Sequence, residues 1–591
     1  MTHKYPLRRF LRVFQACCCV FYASAGIPPL FPTDIALNTK GEIIMTEKGV
    51  KRVDLFTPDG KTLMKSFPVD ETPTGILPDG DKAYVTTFGN TGHLQVLLME
   101  SGRIEASIPT GPGACHPMFG PDKKYIYVCN QFANTVSEVD PASRKVVRTV
   151  GVLREPKSAV FSKDGKYMFV TNFLPAQRAD IDYVAACVSV IEMDGFTKVK
   201  DIRLANGSNA LRGICITPDG KYIYVSHNLG RFAVPTSQLQ QGWMNTSAFS
   251  IIDVAKQEFA GAIVVDEPER GAAGIWSIAC NDESIFITHS GTHEVSVIDH
   301  KAMRDKFENY ADKSVLDYDL TFLYGLRERV PLQGNGPRMM VLKDRKLIIP
   351  TYFADVLNIV DIDTREISAT ELNPGREESD ENKGEKYFND ASHCFQNWQS
   401  CNGCHPGDAR TDGMNWDLMN DGVGNPKNCK SLLFSHVTPP NMISGIRASA
   451  EVAVRAGYNF IQFFNITEED AVCVDAYLKS LRPVPSPYLV NGELSELAED
   501  GRKVFEKLKC GECHSGPYFT DMKMHRIGEE VEFENGWDTP TLREVWRTAP
   551  YLFNGRAATM EEVFEVYKHG MEKKKVSKKD IEALPEYVNS L

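Results

Sequence analysis

A turn followed by two apolar strands recurs through the first 370 residues, and this repetition constrains the fold more than any other feature of the chain. It reads PDGDKAYVTTFGN from Pro78, PDKKYIYVCNQFANTVSEVD from Pro121, KDGKYMFVTNF from Lys163 and PDGKYIYVSHN from Pro218. Weaker copies begin at Asn281 and Lys343, and a degenerate first copy begins at Asn38. Asp-Gly closes a tight hairpin. The alternating Tyr, Ile and Val that follow suit a half-buried pleated strand. One such unit cannot bury its own apolar face, whereas radial stacking of copies buries it and leaves few exposed edges. Seven copies at periods of roughly 40 to 60 residues predict a seven-bladed β-propeller over residues 35–370.

Two of the repeats carry a shared core, Tyr127-Val128-Cys129-Asn130 and Phe169-Val170-Thr171-Asn172. On these residues the region resembles the YVTN family of propellers. The resemblance implies the fold and leaves function open, because propellers serve many activities. It also places one residue from each of six repeats near the central channel: Thr74, His116, Lys157, Arg212, Trp276 and Arg338. A ring with His116, Lys157, Arg212 and Arg338 in it could hold an anion or a docking partner's carboxylates. The plainer reading, which we favour at this stage, pairs these side chains with neighbouring carboxylates or water.

The strand alternation ends near Asp363, and the polar stretch from Asn373 reads as a linker over residues 371–390. Helical patterns follow, so the expected architecture is multidomain: an all-β propeller, then a mainly α region. Glu468 to Leu481 shows helical spacing and is stopped by the proline-rich run after Arg482. The final helix has Ser577 as its cap and Pro585 inside it, where a kink or a last turn is expected. Within this region stand Cys401-Asn402-Gly403-Cys404-His405 and Cys510-Gly511-Glu512-Cys513-His514. In CxxCH the thiols of Cys401 and Cys404, or Cys510 and Cys513, add to the vinyl groups of a haem. His405 and His514 then become proximal iron ligands, giving two haems c in halves 391–485 and 486–591. A zinc site built from both cysteine pairs would leave the two histidines unexplained.

The second motif continues as CGECHSGPYFTDMKMHRIG and then DTPTLREVWRTAPYLFNGRAATMEEVFEVY. These runs resemble the dihaem cytochrome c peroxidases and MauG, over residues 385–591. The resemblance implies a redox protein of the peroxidase/MauG type, with peroxide or another small molecule as substrate and a protein as electron donor or acceptor. A non-enzymatic propeller with relay haems is the alternative. The register implies Tyr567 at the sixth-ligand position of the second haem; His569 is an equal rival on ligand chemistry, and Met571 a weaker one. His436 falls near the family's distal histidine for the first haem. A calcium ion between the haems would use the carbonyls of Thr548 and Pro550, but the family's asparagine partner has no match. The family's Trp-Asp-Gly-Arg element reads Ile443-Ser444-Gly445-Ile446-Arg447, so its aromatic relay is missing there.

The N-terminus carries Lys4, Arg8, Arg9 and Arg12, an apolar run from Val13 to Tyr22, and Ala23-Ser24-Ala25. This reads as a signal peptide over residues 1–25, for a periplasmic, secreted or cell-surface bacterial protein. Cys17 to Cys19 lie in it, but the preceding residues make a poor lipidation signal and a lipid anchor is not favoured. No segment is expected to span a membrane. The net charge of −12 argues against nucleic acid as the main partner. Of fifteen cysteines, Cys394, Cys429 and Cys473 flank the first motif closely enough to suggest one disulfide.

Overall fold

Seven four-stranded antiparallel sheets follow one another along residues 32–371 of the computed structural model, which describes residues 28–89, 91–233, 244–418, 426–527, 535–571 and 574–591. The expected signal peptide lies outside the described residues. The sheets span 32–68, 72–109, 114–151, 156–203, 208–264, 275–331 and 341–371, each with its strands in sequence order. They are the seven blades predicted from the repeats. Apolar clusters lie between neighbouring blades; Phe169 and Val190 of the fourth, for example, pack on Ile223 and Ile252 of the fifth. Burying each such side chain contributes ~1.5–3 kcal/mol.

No strand is exchanged between the ends of the ring. Ile35, Ile43 and Phe56 of the first blade pack instead on Ile348 and Leu357 of the last. The backbone N–H of Leu30 donates to Asp355 Oδ2 at 3.0 Å, fixing the entry of the chain against the seventh blade. Near the channel, hydroxyls stitch each blade to the next: Thr74 Oγ1 donates to Ala114 O (2.6 Å), Ser158 Oγ to Arg212 O (2.8 Å) and Thr288 Oγ1 to Arg338 O (2.7 Å). Helix α1 (His300–Glu308) interrupts the sixth blade and buries Met303 and Phe307 against Phe249 and Ile263 of the fifth.

Beyond the ring the chain forms two halves with one element order. The first has α2 (Asp380–Asn389), the Cys401 motif, a two-stranded ribbon, α3 (Ala450–Phe460) and α4 (Glu468–Ser480). The second has α5 (Glu496–Lys507), the Cys510 motif, a ribbon, α6 (Met560–Glu565) and α7 (Lys578–Asn589). Helix α2 corrects the linker reading: Ser379 caps it by accepting from Asn382 N, and Phe388 anchors it in the core of the first half. Only one stripe of α2 is apolar, so its composition resembles that of a loop. The paired helices cross in the same way in both halves. A Cβ on Gly384 would strike the Cys473 carbonyl of α4, and one on Gly501 would strike the Ala583 carbonyl of α7. Helix α7 has the predicted Ser577 cap and runs through Pro585 without a break.

The expected disulfide near the first motif is not formed. Cys394, Cys429 and Cys473 are free, with Cys473 Sγ facing Asp380 and Cys429 Sγ facing Cys404 O. The thiols in contact are Cys215 and Cys280, 3.7 Å apart between the fifth and sixth blades.

Candidate functional site

Each CxxCH segment folds as a single tight turn. The backbone N–H of His405 donates to Cys401 O (3.0 Å), and that of His514 to Cys510 O (2.9 Å). Each imidazole then uses Nδ1 in the same way. His405 Nδ1 meets Arg410 O at 3.0 Å and His514 Nδ1 meets Phe519 O at 3.1 Å, a carbonyl five residues on in both cases. A carbonyl only accepts, so Nδ1 carries the proton and Nε2 keeps its lone pair. Burial lowers the pKa of both rings; that of His514 falls to about 4, with His569 as the next cause. Burial thus favours the neutral imidazole at both positions.

The second motif opens onto a cavity of about 390 Å³. Cys510, Cys513 and His514 form one wall, Phe505 of α5 and Leu508 just after it another, and Val563 and Phe564 of α6 a third. Tyr567 and His569 border the same space, as do Thr548 and Pro550. The two rival ligands stand differently toward His514. Tyr567 Oη donates to Arg556 O at 2.9 Å, so its phenol is committed to the backbone. The His569 ring faces the His514 ring with centroids 6.3 Å apart. Imidazole nitrogens sit about 2 Å from a metal ion, which puts two rings on opposite sides of one ion at centroid separations of about 6 Å. Met571, the third candidate, is packed into the core of the second half.

The first motif is packed between its own half and the fifth blade. Cys404 Sγ accepts from Asn245 Nδ2 (3.1 Å), Cys401 Sγ accepts from Gln462 Nε2 (3.4 Å), and Asn228 Nδ2 reaches Gly403 O at 3.5 Å. Burial raises both thiol pKa values. Cys429 Sγ lies 3.5 Å from His405 Nδ1. His436 is held in a buried pair, its Nε2 meeting Asp475 Oδ1 at 3.0 Å, and Arg455 also binds that carboxylate at 2.5 Å. The atom an iron would need is thus engaged by an acid on α4. Trp416 is packing, buried with Met244 and Met414 and donating to Asp412 Oδ2.

No group of three or more His, Cys, Asp or Glu is arranged to hold a metal ion among the described residues. The zinc alternative, which needs both cysteine pairs at one point, does not match this arrangement. An aromatic pair unforeseen in the sequence lies between the two motifs. Trp537 stacks on Phe553 with centroids 4.2 Å apart, at the edge of the second cavity and beside Ile443. The Asn428 N–H donates to Phe553 O at 2.8 Å, and the next residue, Cys429, touches His405. The halves meet again where Asp538 N donates to Ile443 O (2.9 Å) and Lys430 pairs with Asp538 (2.7 Å).

The channel residues divide into two sets. Thr74 and His116 are absorbed by the ring, His116 Nε2 meeting Ala159 O at 3.2 Å. Lys157, Arg212 and Arg338 remain at the mouth, where the C-terminal region covers them. Arg547 inserts there, with Nε 3.2 Å from Glu155 Oε1, while Arg154 Nη2 donates to Arg547 O at 3.0 Å. Sequence reading missed this seam because its partners lie almost 400 residues apart and no local pattern links them.

No family model matches the chain. Hydrazine synthase subunit gamma of Kuenenia stuttgartiensis is 27% identical to it over 237 residues, covering 30% of this chain and 66% of that subunit. Hydrazine synthase subunit beta of the same organism is 30% identical over 170 residues, covering 28% of this chain and 42% of the subunit. Antigen Lp49 of Leptospira interrogans is 25% identical over 187 residues, covering 29% and 40%. The chain thus spans less than two thirds of the length of each relative. A solved chain of Kuenenia stuttgartiensis hydrazine synthase superposes with a TM-score of 0.52 at 19% identity, covering 59% of this chain and 99% of that one. At that identity the likeness is one of fold, and it agrees with the seven blades. Among the described residues no helix is long and apolar enough to cross a membrane.

Proposed function

We propose that this chain is an exported redox protein carrying two covalent haems c. One would be held by Cys401, Cys404 and His405, the other by Cys510, Cys513 and His514. The observation that carries the reading is the shared state of the two histidines: each commits Nδ1 to a carbonyl five residues on, which leaves the lone pair on Nε2. The apolar walls around the second motif add to it. Bound there, a haem would supply one-electron transfer at its iron.

The residues around each motif would do the rest. His514 and His569 would hold the second iron from both sides, which favours an electron relay over peroxide turnover at that position. Trp537, Phe553 and Cys429 would fill the path between the two irons with protein and exclude water from it. The similarity to hydrazine synthase subunits supports work within a larger oxidoreductase assembly, with a protein electron donor or acceptor. The MauG and peroxidase likeness supports the same chemistry class, and any substrate site would belong to the first haem. Calcium at the carbonyls of Thr548 and Pro550 rests on the peroxidase likeness alone. The absorption and paramagnetic resonance spectra of the oxidised full chain test the reading. A low-spin signal from the second haem is expected. Two high-spin haems that both turn over peroxide would contradict it.

A further inference from the structure

The mouth of the propeller holds more cations than its carboxylates can answer. Arg547 is paired with Glu155, and Arg410 with Glu544 at 2.7 Å. Lys48, Lys157, Arg212 and Arg338 remain, opposite Asp408 and Glu385. Arg212, 9% exposed, donates only to the carbonyls of Ala210 (3.4 Å) and Ile275 (3.3 Å). Its pKa is pushed down to about 9 by burial and by Arg338, with no carboxylate acting on it. Arg338 lies over the rings of Tyr352 (3.6 Å) and Trp276 (4.3 Å), and its Nε is buried without a hydrogen-bond partner. Both guanidinium carbons sit within 4.4 Å of the Trp276 ring centroid. A buried cation beside a second cation, with no carboxylate acting on it, is costly, and an anion near both lowers that cost.

The segment after His405 lies over the space beside them. Gly407 and Asp408 stand at φ 66° and 63°, a left-handed turn that lowers the segment after His405 onto the ring. A side chain at Gly407 would press on Arg547 Nη2 at 2.9 Å and on Phe173 at 3.3 Å. Asp408 and Lys48 keep exposed surface here within reach of each other's charge. They therefore border the space at the channel mouth. Asp408 is held in its charged form by Lys48, Arg547, Arg410 and Lys157. Lys157 Nζ also donates to Gln131 Oε1 at 2.6 Å, and Lys48 Nζ lies 3.5 Å from Tyr352 Oη.

We propose that the channel mouth binds a small oxyanion between Arg212 and Arg338, with Lys48 and Lys157 at its margin. Guanidinium groups present paired N–H donors that match the oxygens of nitrate, phosphate or sulfate. The cover formed by Gly407 and Asp408 keeps a partner protein's side chain from entering from that face, so the occupant is a free ion. The carboxylate that does enter is the chain's own Asp408. The inference stands apart from the haem reading, since none of these four cations touches either CxxCH motif.

The test uses the full chain with sulfate, phosphate and nitrate as probes, at constant ionic strength made up with chloride. Melting temperature is followed as each probe is titrated. At least one probe should stabilise the protein saturably. Its apparent affinity should fall about tenfold or more in Arg212→Gln and in Arg338→Gln, and stay unchanged in the exposed-site control Lys166→Gln. No saturable effect in the wild type overturns the proposal, as does an equal effect in both arginine variants. Should the variants fail to fold, selenate in wild-type crystals decides by its anomalous signal. Density between the two guanidiniums supports the site; selenate confined to surface lysines overturns it.

Discussion

His569 and Tyr567 stand differently toward His514, and this difference predicts two unlike mutants. Tyr567 spends its hydroxyl on Arg556 O, whereas His569 faces His514 across 6.3 Å. His569→Ala should convert the second haem from low-spin to high-spin, while Tyr567→Phe should leave its spectrum in place. A reversed outcome in the absorption spectrum would return the ligand position to Tyr567. Asp266 supports a prediction of stability. It is buried, accepts from Ser247 N and Ala272 N at 2.6 Å each, and burial raises its pKa to about 6. A carboxyl with a raised folded pKa favours folding in its protonated form, so that contribution is full below the unfolded value near 4 and is lost as pH rises to about 6. Denaturant titrations should therefore show stability falling across that window in the wild type, and a shallower fall in Asp266→Asn.

Helix crossings carry the second scale. In both C-terminal halves a glycine lets one helix rest on a backbone carbonyl of the other, Gly384 on Cys473 and Gly501 on Ala583. Gly501→Ala should cost ~1–3 kcal/mol through overpacking, despite the better helix propensity of alanine. A melting temperature equal to the wild type's would mean that the crossing is looser than it stands here. These elements also show what sequence could and could not disclose. The blades were legible because alternating strands and Asp-Gly turns are local and repeat. The CxxCH turns were legible because all their chemistry lies within five residues. Helix α2 was not, since its charged composition hides the stripe with Phe388. The commitments of His436 to Asp475 and Tyr567 to Arg556 were not either. Spacing brings a side chain near a place in the fold but does not tell which hydrogen bond it takes there. The seam between Glu155 and Arg547 joins residues with no shared pattern at all.

At the scale of the molecule, the ring and its cover divide the work of folding unequally. The blades close on themselves through Ile43, Phe56 and Leu357, so the fragment 26–372 should fold alone. Without the C-terminal region, Glu155 loses Arg547 and the channel mouth opens to water. The fragment should be less stable than the same ring in the full chain, yet cooperative in its unfolding. An insoluble or protease-labile fragment would show instead that the ring depends on its cover. The account as a whole rests on two covalent haems held by two CxxCH turns. Intact-mass spectrometry of the full chain, produced with a haem-attachment system and denatured before measurement, tests this most directly. The expected mass exceeds that of the polypeptide by two haems, with one lost in Cys401→Ala/Cys404→Ala and the other in Cys510→Ala/Cys513→Ala. A polypeptide mass with no haem added, from cells that load other c-type cytochromes, would contradict it.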